Sequence, residues 1–177
     1  EGGLSLNGLT TLSDSAATGL AKHKGDLSLN SLTTLSDVAA AVLSKHEGRL
    51  SFNGLTTLSD TAVAELAKYA GESCFASLKA LSGDAAEALA QYTHPLRLTS
   101  LTTISSAAAI ALAKRKGELF LNGLATISDE IAALFSDYQG GLYLDGVSTL
   151  SDATATALSC RSGHITSLRG LTILSHA

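Results

Sequence analysis

The sequence predicts an α/β solenoid, a stack of strand–turn–helix units with parallel strands on one face and helices on the other. Three observations predict it. An apolar pattern recurs every 23 residues, at Leu4, Leu27, Leu50, Ser73, Leu96, Leu119 and Leu142, without a gap. Inside each unit the first residues alternate apolar and polar, whereas positions 9, 13 and 17 recur at helical spacing. Finally, 45% of the 177 residues are hydrophobic and 16% charged, a balance that supports a packed core and excludes the disordered class.

Numbered from those seven residues, each unit opens with a strand. Position 3 is Leu6, Leu29, Phe52, Phe75, Leu98, Leu121 and Leu144, and the residue between positions 1 and 3 points away from the core. A corner follows, marked by Asn7-Gly8, Asn53-Gly54 and Asn122-Gly123, where the expectation is a positive backbone angle that glycine adopts readily. Position 6 is Leu or Val and position 9 Leu or Ile throughout. Serine at position 10, followed by aspartate in five of seven units, predicts a capped helix start with a carboxylate at its positive end. Alanines then lead to Leu20, Leu43, Leu66, Leu89, Leu112, Phe135 and Leu158 at position 17. Basic residues such as Lys22, Lys24, Lys114, Arg115 and Lys116 fall where a helix C-terminus favours positive charge, and read as a solvated convex face. Gly25 and its equivalents close six of seven units, with the left-handed conformation expected beyond the helix.

One such unit cannot bury its leucines, but stacked copies place like position on like and make a continuous core. Strands stack about 4.8 Å apart and helices are roughly 10 Å wide, so the strand side becomes concave. Residues 1–177 are expected to form a single array of seven units and a truncated eighth, the last needing one extra residue near His164-Ile165 to bring Leu168-Arg169-Gly170-Leu171 into register. No capping module is evident, so self-association through uncapped ends is an expectation. The fourth unit departs from the pattern at Ser73, Ala76, Ala80 and Gly83, and ends in Thr93-His94-Pro95.

Segments such as Leu27-Ser28-Leu29-Asn30-Ser31-Leu32 resemble the LxLxxN/CxL signature of leucine-rich repeats over essentially the whole chain, with leucine at the usual Asn or Cys position. The spacing and the small-residue helix are similar to the short-period repeats of bacterial proteins. That resemblance implies a right-handed solenoid that binds a protein or glycan partner along its concave sheet.

The residues narrow the function further. A net charge of -4 gives no phosphate-neutralising surface, so nucleic acid is not an expected partner. No apolar run is long enough for a membrane span, and membrane insertion is not expected. Cys74 and Cys160 occupy unrelated positions and read as free thiols. Every notable Ser, His and Asp belongs to a repeated column rather than to a nucleophile–base–orienter set, so no enzyme is expected. Cys74 beside Arg97 lies in an electropositive setting, but no histidine is placed to activate it.

Position 2 is the informative row. It reads Ser5, Ser28, Ser51, Cys74, Arg97, Phe120, Tyr143, turning from serine to large side chains of the kind enriched at interfaces. Arg97, Phe120 and Tyr143 are therefore the candidate partner-binding residues, framed by Glu118, Thr99, Asn122, Asp145 and His164. The position-4 asparagines (Asn7, Asn30, Asn53, Asn122) suit a glycan but equally a turn and a repeat-to-repeat ladder. The Asp14, Asp37, Asp60, Asp129, Asp152 stripe resembles a calcium surface, yet a single file of carboxylates does not gather oxygens around one point, and capping accounts for it. His23 and His46 share one column and begin a zinc site, but Tyr69, Tyr92 and Tyr138 continue that column and supply no third ligand. No metal and no cofactor is expected. The reading is a module that binds a protein or peptide; the alternatives are a spacer or self-assembling scaffold and a glycan-binding surface.

Overall fold

A serine starts every one of the seven helices found in the computed structural model, which describes residues 2–69, 75–161 and 166–175. At each start the backbone of the serine is extended, and its hydroxyl accepts from the amide three residues on, as Ser36 does from Ala39 at 3.0 Å. The aspartate after it reaches sideways as well. Ser36 Oγ donates to Asp14 Oδ1 of the preceding helix at 2.5 Å, and Ser59 to Asp37 and Ser151 to Asp129 repeat the link. One residue pair thus caps a helix and ties it to its neighbour.

Helices and short parallel strands alternate along the chain, in two compact units, Glu1–Leu78 and Lys79–Ala177. The first unit contains β1 (Leu4–Ser5), α1 (Asp14–Leu20), β2 (Leu27–Ser28), α2 (Asp37–Leu43), β3 (Leu50–Ser51) and α3 (Asp60–Ala67), with its strands in the order β1-β2-β3. The register pairs Leu4 with Leu27 and Leu27 with Leu50, one 23-residue period apart. The second unit contains α4 (Gly83–Ala90), β4 (Leu96–Arg97), α5 (Ser106–Ala113), β5 (Leu119–Phe120), α6 (Asp129–Leu134), β6 (Leu142–Tyr143), β7 (Thr149–Ser151), α7 (Asp152–Ser159), β8 (Thr166–Ser167) and β9 (Ile173–Ser175). Its main sheet runs β4-β5-β6-β8, and β7 pairs with β9 in a second small sheet that the sequence pattern does not announce. Leu142 pairs with Thr166, a step of 24 rather than 23, so the extra residue lies between Arg161 and Thr166.

The core is built column on column. Position-1, -3, -6 and -17 side chains such as Leu27, Leu29, Leu32 and Leu43 in the first unit, and Leu119, Leu121, Leu124 and Phe135 in the second, are buried. Buried alanines (Ala39, Ala40, Ala85, Ala86, Ala108, Ala109) let consecutive helices pack closely within each unit. Leu9, in the first repeat, is 38% exposed, and Ile173 and Leu174 on β9 are 54% and 61% exposed.

Two expectations need correction. Among the described residues no glycine and no other residue has a positive φ. At Gly54 and Gly123 the carbonyls of the neighbouring repeat crowd the place a Cβ would take. A Cβ on Gly54 would lie 2.7 Å from Leu32 O and closer still to Asn30 O, and one on Gly123 would lie 2.5 Å from both Leu101 O and Thr99 O. Gly8, at the same position of the first repeat, has nothing within 4 Å. Where serine replaces glycine at this position, Ser31 and Ser77 donate to the crowding carbonyls of Asn7 and Asn53.

The second correction concerns Arg115, which is not on a solvated face but 2% exposed. Its Nη1 donates to Leu89 O at 2.6 Å and Tyr92 O at 2.5 Å, and its Nη2 to His94 O at 2.9 Å. Four other residues of the position-20 column do the same work. His46 bonds Gly25 O at 2.9 Å, Arg161 bonds Gly140 O at 2.6 Å, and Tyr69 and Tyr138 donate to Gly48 O and Gly117 O. Each side chain satisfies a carbonyl of the preceding repeat just past its helix. Burial holds the Arg115 guanidinium below its ordinary pKa and pushes the Tyr138 phenol up.

Candidate interaction surface

Strand alternation sets the geometry of the surface. Leu96, Leu98, Leu119, Leu121, Leu142 and Leu144 are buried on β4, β5 and β6 and at the residues that follow them. The residues between them, Arg97, Phe120 and Tyr143, must face the other way, and the parallel register sets them directly beside one another. Tyr143 is followed in the row by Ser167 of β8.

The three side chains form one stack. The Phe120 and Tyr143 rings lie 4.1 Å apart between centroids and 9° from parallel, and Arg97 Cζ sits 4.2 Å from the Phe120 centroid. Both faces of Phe120 are thus covered, one by a guanidinium and one by a phenol. Tyr143 OH donates to Glu118 Oε1 at 3.0 Å, and this bond to a carboxylate holds the phenol above its ordinary pKa. Beside Tyr143 a shallow groove of about 290 Å³ is lined by Lys116, Glu118, Gln139 and Gly140 among others.

Of the residues expected to frame the stack, Glu118 touches it. Asn122 and Asp145 belong to a ladder at position 4. Asn122 Oδ1 accepts from Asp145 N at 3.2 Å, and Asp145 Oδ1 accepts from Ser167 Oγ at 2.5 Å and Arg169 N at 3.1 Å. Those bonds hold the Asp145 carboxyl below its ordinary value. In the first unit Asn7 Oδ1 accepts from Ser28 Oγ and Asn30 N, and Asn30 Oδ1 from Ser51 Oγ and Asn53 N, in the same pattern. Thr99 is half-buried, and His164 and Cys74 lie outside the described residues.

The ladder reveals how the stack arises. Where position 2 is serine, as at Ser28, Ser51 and Ser167, its hydroxyl donates to the Asn or Asp at position 4 of the repeat before. Within the second unit, the position-4 residue of the repeat before Phe120 is Thr99 rather than Asn or Asp, so at this step both positions differ from the serine–asparagine pairs of the first unit.

Sequence reasoning did not single out Arg169, an exposed side chain at position 4 of the repeat that β8 opens. Among the described residues neither Arg97 nor Arg169 has a side-chain hydrogen bond or ion pair.

The stripes read as alternatives are committed elsewhere. Asp14, Asp37 and Asp129 accept from serines of the next repeat. His23 and His46 are stacked, 6.3 Å apart, and among the described residues no three His, Cys, Asp or Glu side chains come together as metal ligands. Among the described residues Cys160 is a free, exposed thiol, and no helix is long and apolar enough to cross a membrane. No protein-family model matches the chain, and no curated protein matches it either.

Proposed function

We propose that the chain is a leucine-rich-repeat solenoid that docks a protein or peptide on the strand face of its second unit. Arg97, Phe120 and Tyr143 make the contact, and Glu118 orients the phenol. The observation that carries this reading is the stack itself, a guanidinium and two rings on three adjacent strands, at a position where β1, β2 and β3 have serine. Side chains of these types lose little conformational freedom on binding once they are held against one another, which favours contact energy over ordering cost. Asn122 and Asp145 act beneath them as ladder residues.

The test is peptide-display selection against the full chain and against a variant with Arg97→Ser, Phe120→Ser and Tyr143→Ser. Serine is what β1, β2 and β3 carry at this position, so the variant should fold, as a thermal melt within a few degrees of the parent would verify. Peptides that bind the parent and lose at least about tenfold in affinity on the variant, a difference of about 1.4 kcal/mol, support the reading. Peptides that bind both equally refute it.

A second reading, a spacer or self-assembling scaffold, draws on the exposed Ile173 and Leu174 of β9. Growth in particle mass with concentration, read by light scattering, would favour it over a docking module, and a constant 18.0 kDa particle would count against it.

A further inference from the structure

Charge on the strand face of the second unit is unevenly committed. Its two carboxylates are engaged, Glu118 with Tyr143 OH, and Asp145 with Ser167 Oγ and Arg169 N. Its two guanidinium groups make no hydrogen bond or ion pair among the described residues: Arg97 Cζ sits 4.2 Å from the Phe120 centroid, and Arg169, whose charge acts on Asp145 through space, hydrogen-bonds through its backbone. Both are exposed. A guanidinium fixed against a ring keeps its donor edge open, and the ligand that fits that edge is a carboxylate bound through two parallel hydrogen bonds.

The spacing defines the ligand further. Arg97 lies on β4 and Arg169 beside β8, three strand steps apart in the order β4-β5-β6-β8. At about 4.8 Å per step the three steps span roughly 14 Å, and the two-residue offset along the strand brings the sites to roughly 16 Å, which an extended peptide covers in about four to five residues. Between them stand the edges of the Phe120 and Tyr143 rings, an apolar bed one side chain long.

We infer that the partner is an acidic peptide segment lying across the strands. Two Asp or Glu side chains four residues apart reach Arg97 and Arg169, and an apolar side chain between them rests on the ring edges. This rests on the docking reading above and assigns its ligand chemistry.

The experiment uses the same display selection on the full chain, followed by fluorescence anisotropy with one enriched peptide, its Glu→Gln analogue and a uronic-acid oligosaccharide. The expected result is enrichment of acidic pairs at a spacing of about four, with affinity falling as salt rises. Arg97→Gln and Arg169→Gln should each weaken the acidic peptide about tenfold or more while leaving the Glu→Gln analogue within about twofold, as loss of a charge-assisted bond requires. Binders that depend on Phe120 and Tyr143 but carry no acidic pair would overturn this inference and leave the docking reading standing. Binders indifferent to all three stacked residues, or no binders at all, would sink both. Binding of the oligosaccharide with no binding of peptide would overturn the peptide assignment in favour of a glycan.

Discussion

The glycines offer a decisive perturbation, because Gly8 and Gly54 occupy the same position of the repeat, follow asparagine in both cases and lie in the same unit. They differ in what lies next to them. A Cβ at position 8 meets nothing within 4 Å, whereas at position 54 it falls inside 3.0 Å of two carbonyl oxygens, Asn30 O and Leu32 O. Since neither residue has a positive φ, alanine is conformationally acceptable at both. Gly8→Ala should then stabilise the first unit by about 0.4–1 kcal/mol, through the lower entropy of the unfolded chain. Gly54→Ala must shift the two repeats locally, and without the hydroxyl through which Ser31 and Ser77 bond the crowding carbonyl. Overpacking of this kind costs about 1–3 kcal/mol. Displacing the strand also strains the bond from Asn53 N to Asn30 Oδ1, now 3.0 Å, worth about 1 kcal/mol more. The expected difference between the variants is therefore about 2–5 kcal/mol, with opposite signs relative to the parent. Urea denaturation followed by circular dichroism resolves it readily, since slopes of about 1–3 kcal/mol per molar convert it to a midpoint separation near 1 M or more. If both variants lose stability equally, the corner needs glycine for its backbone angle and the steric explanation fails.

Two further predictions concern buried and ladder charges. Arg115→Met removes the three hydrogen bonds to the Leu89, Tyr92 and His94 carbonyls and should cost about 3 kcal/mol or more, whereas Lys116→Met, on an exposed neighbour, should stay within about 0.5 kcal/mol; equal thermal shifts would contradict the assignment. Asp145 is held below the ordinary carboxyl pKa, so its contribution is present above about pH 3.9 and is lost as pH falls through the lowered folded value. Asp145→Asn supplies the same acceptor as Asn122 without titrating; thermal melts from pH 7 to pH 3 should show unchanged stability at neutral pH and a shallower acid loss, and an unaltered acid slope would refute this.

Much of the architecture was legible because each signal has a local cause. Serine at position 10 predicted seven helix starts and caps all seven, since capping is decided within four residues. The 23-residue period predicted the register, and alternation predicted that Arg97, Phe120 and Tyr143 would lie side by side. What escaped was contact across the period. Arg115 looked like a dipole-favoured surface residue because nothing within its own repeat shows the three carbonyls it meets in the one before. The glycines looked conformational for the same reason, the obstructing oxygens being supplied by the neighbour. Arg169 was passed over because the register puts it at position 4, a column otherwise read through its asparagines as turn and ladder, and nothing in its own repeat shows that it stands exposed on the strand face.

Those cross-repeat pairings explain why the surface differs at position 2. A residue in a ladder column is constrained by its partner one repeat away, so Ser28 is tied to Asn7 and Ser51 to Asn30. Where Thr99 stands at position 4, the side-chain amide or carboxylate acceptor of the ladder is absent, and position 2 of the next repeat is no longer held to serine by it. Large side chains then replace the lost ladder bond with contact among themselves, guanidinium on ring and ring on ring. Tyr143 marks the boundary of this exchange, since Asn122 is still present before it and its amide oxygen serves Asp145 N alone. At Ser167 the ladder resumes through Asp145. The stack is therefore bounded by residues that differ from the ladder, and restoring both halves of one pair, Thr99→Asn with Phe120→Ser, should rebuild the ladder step and dismantle the stack without loss of the fold.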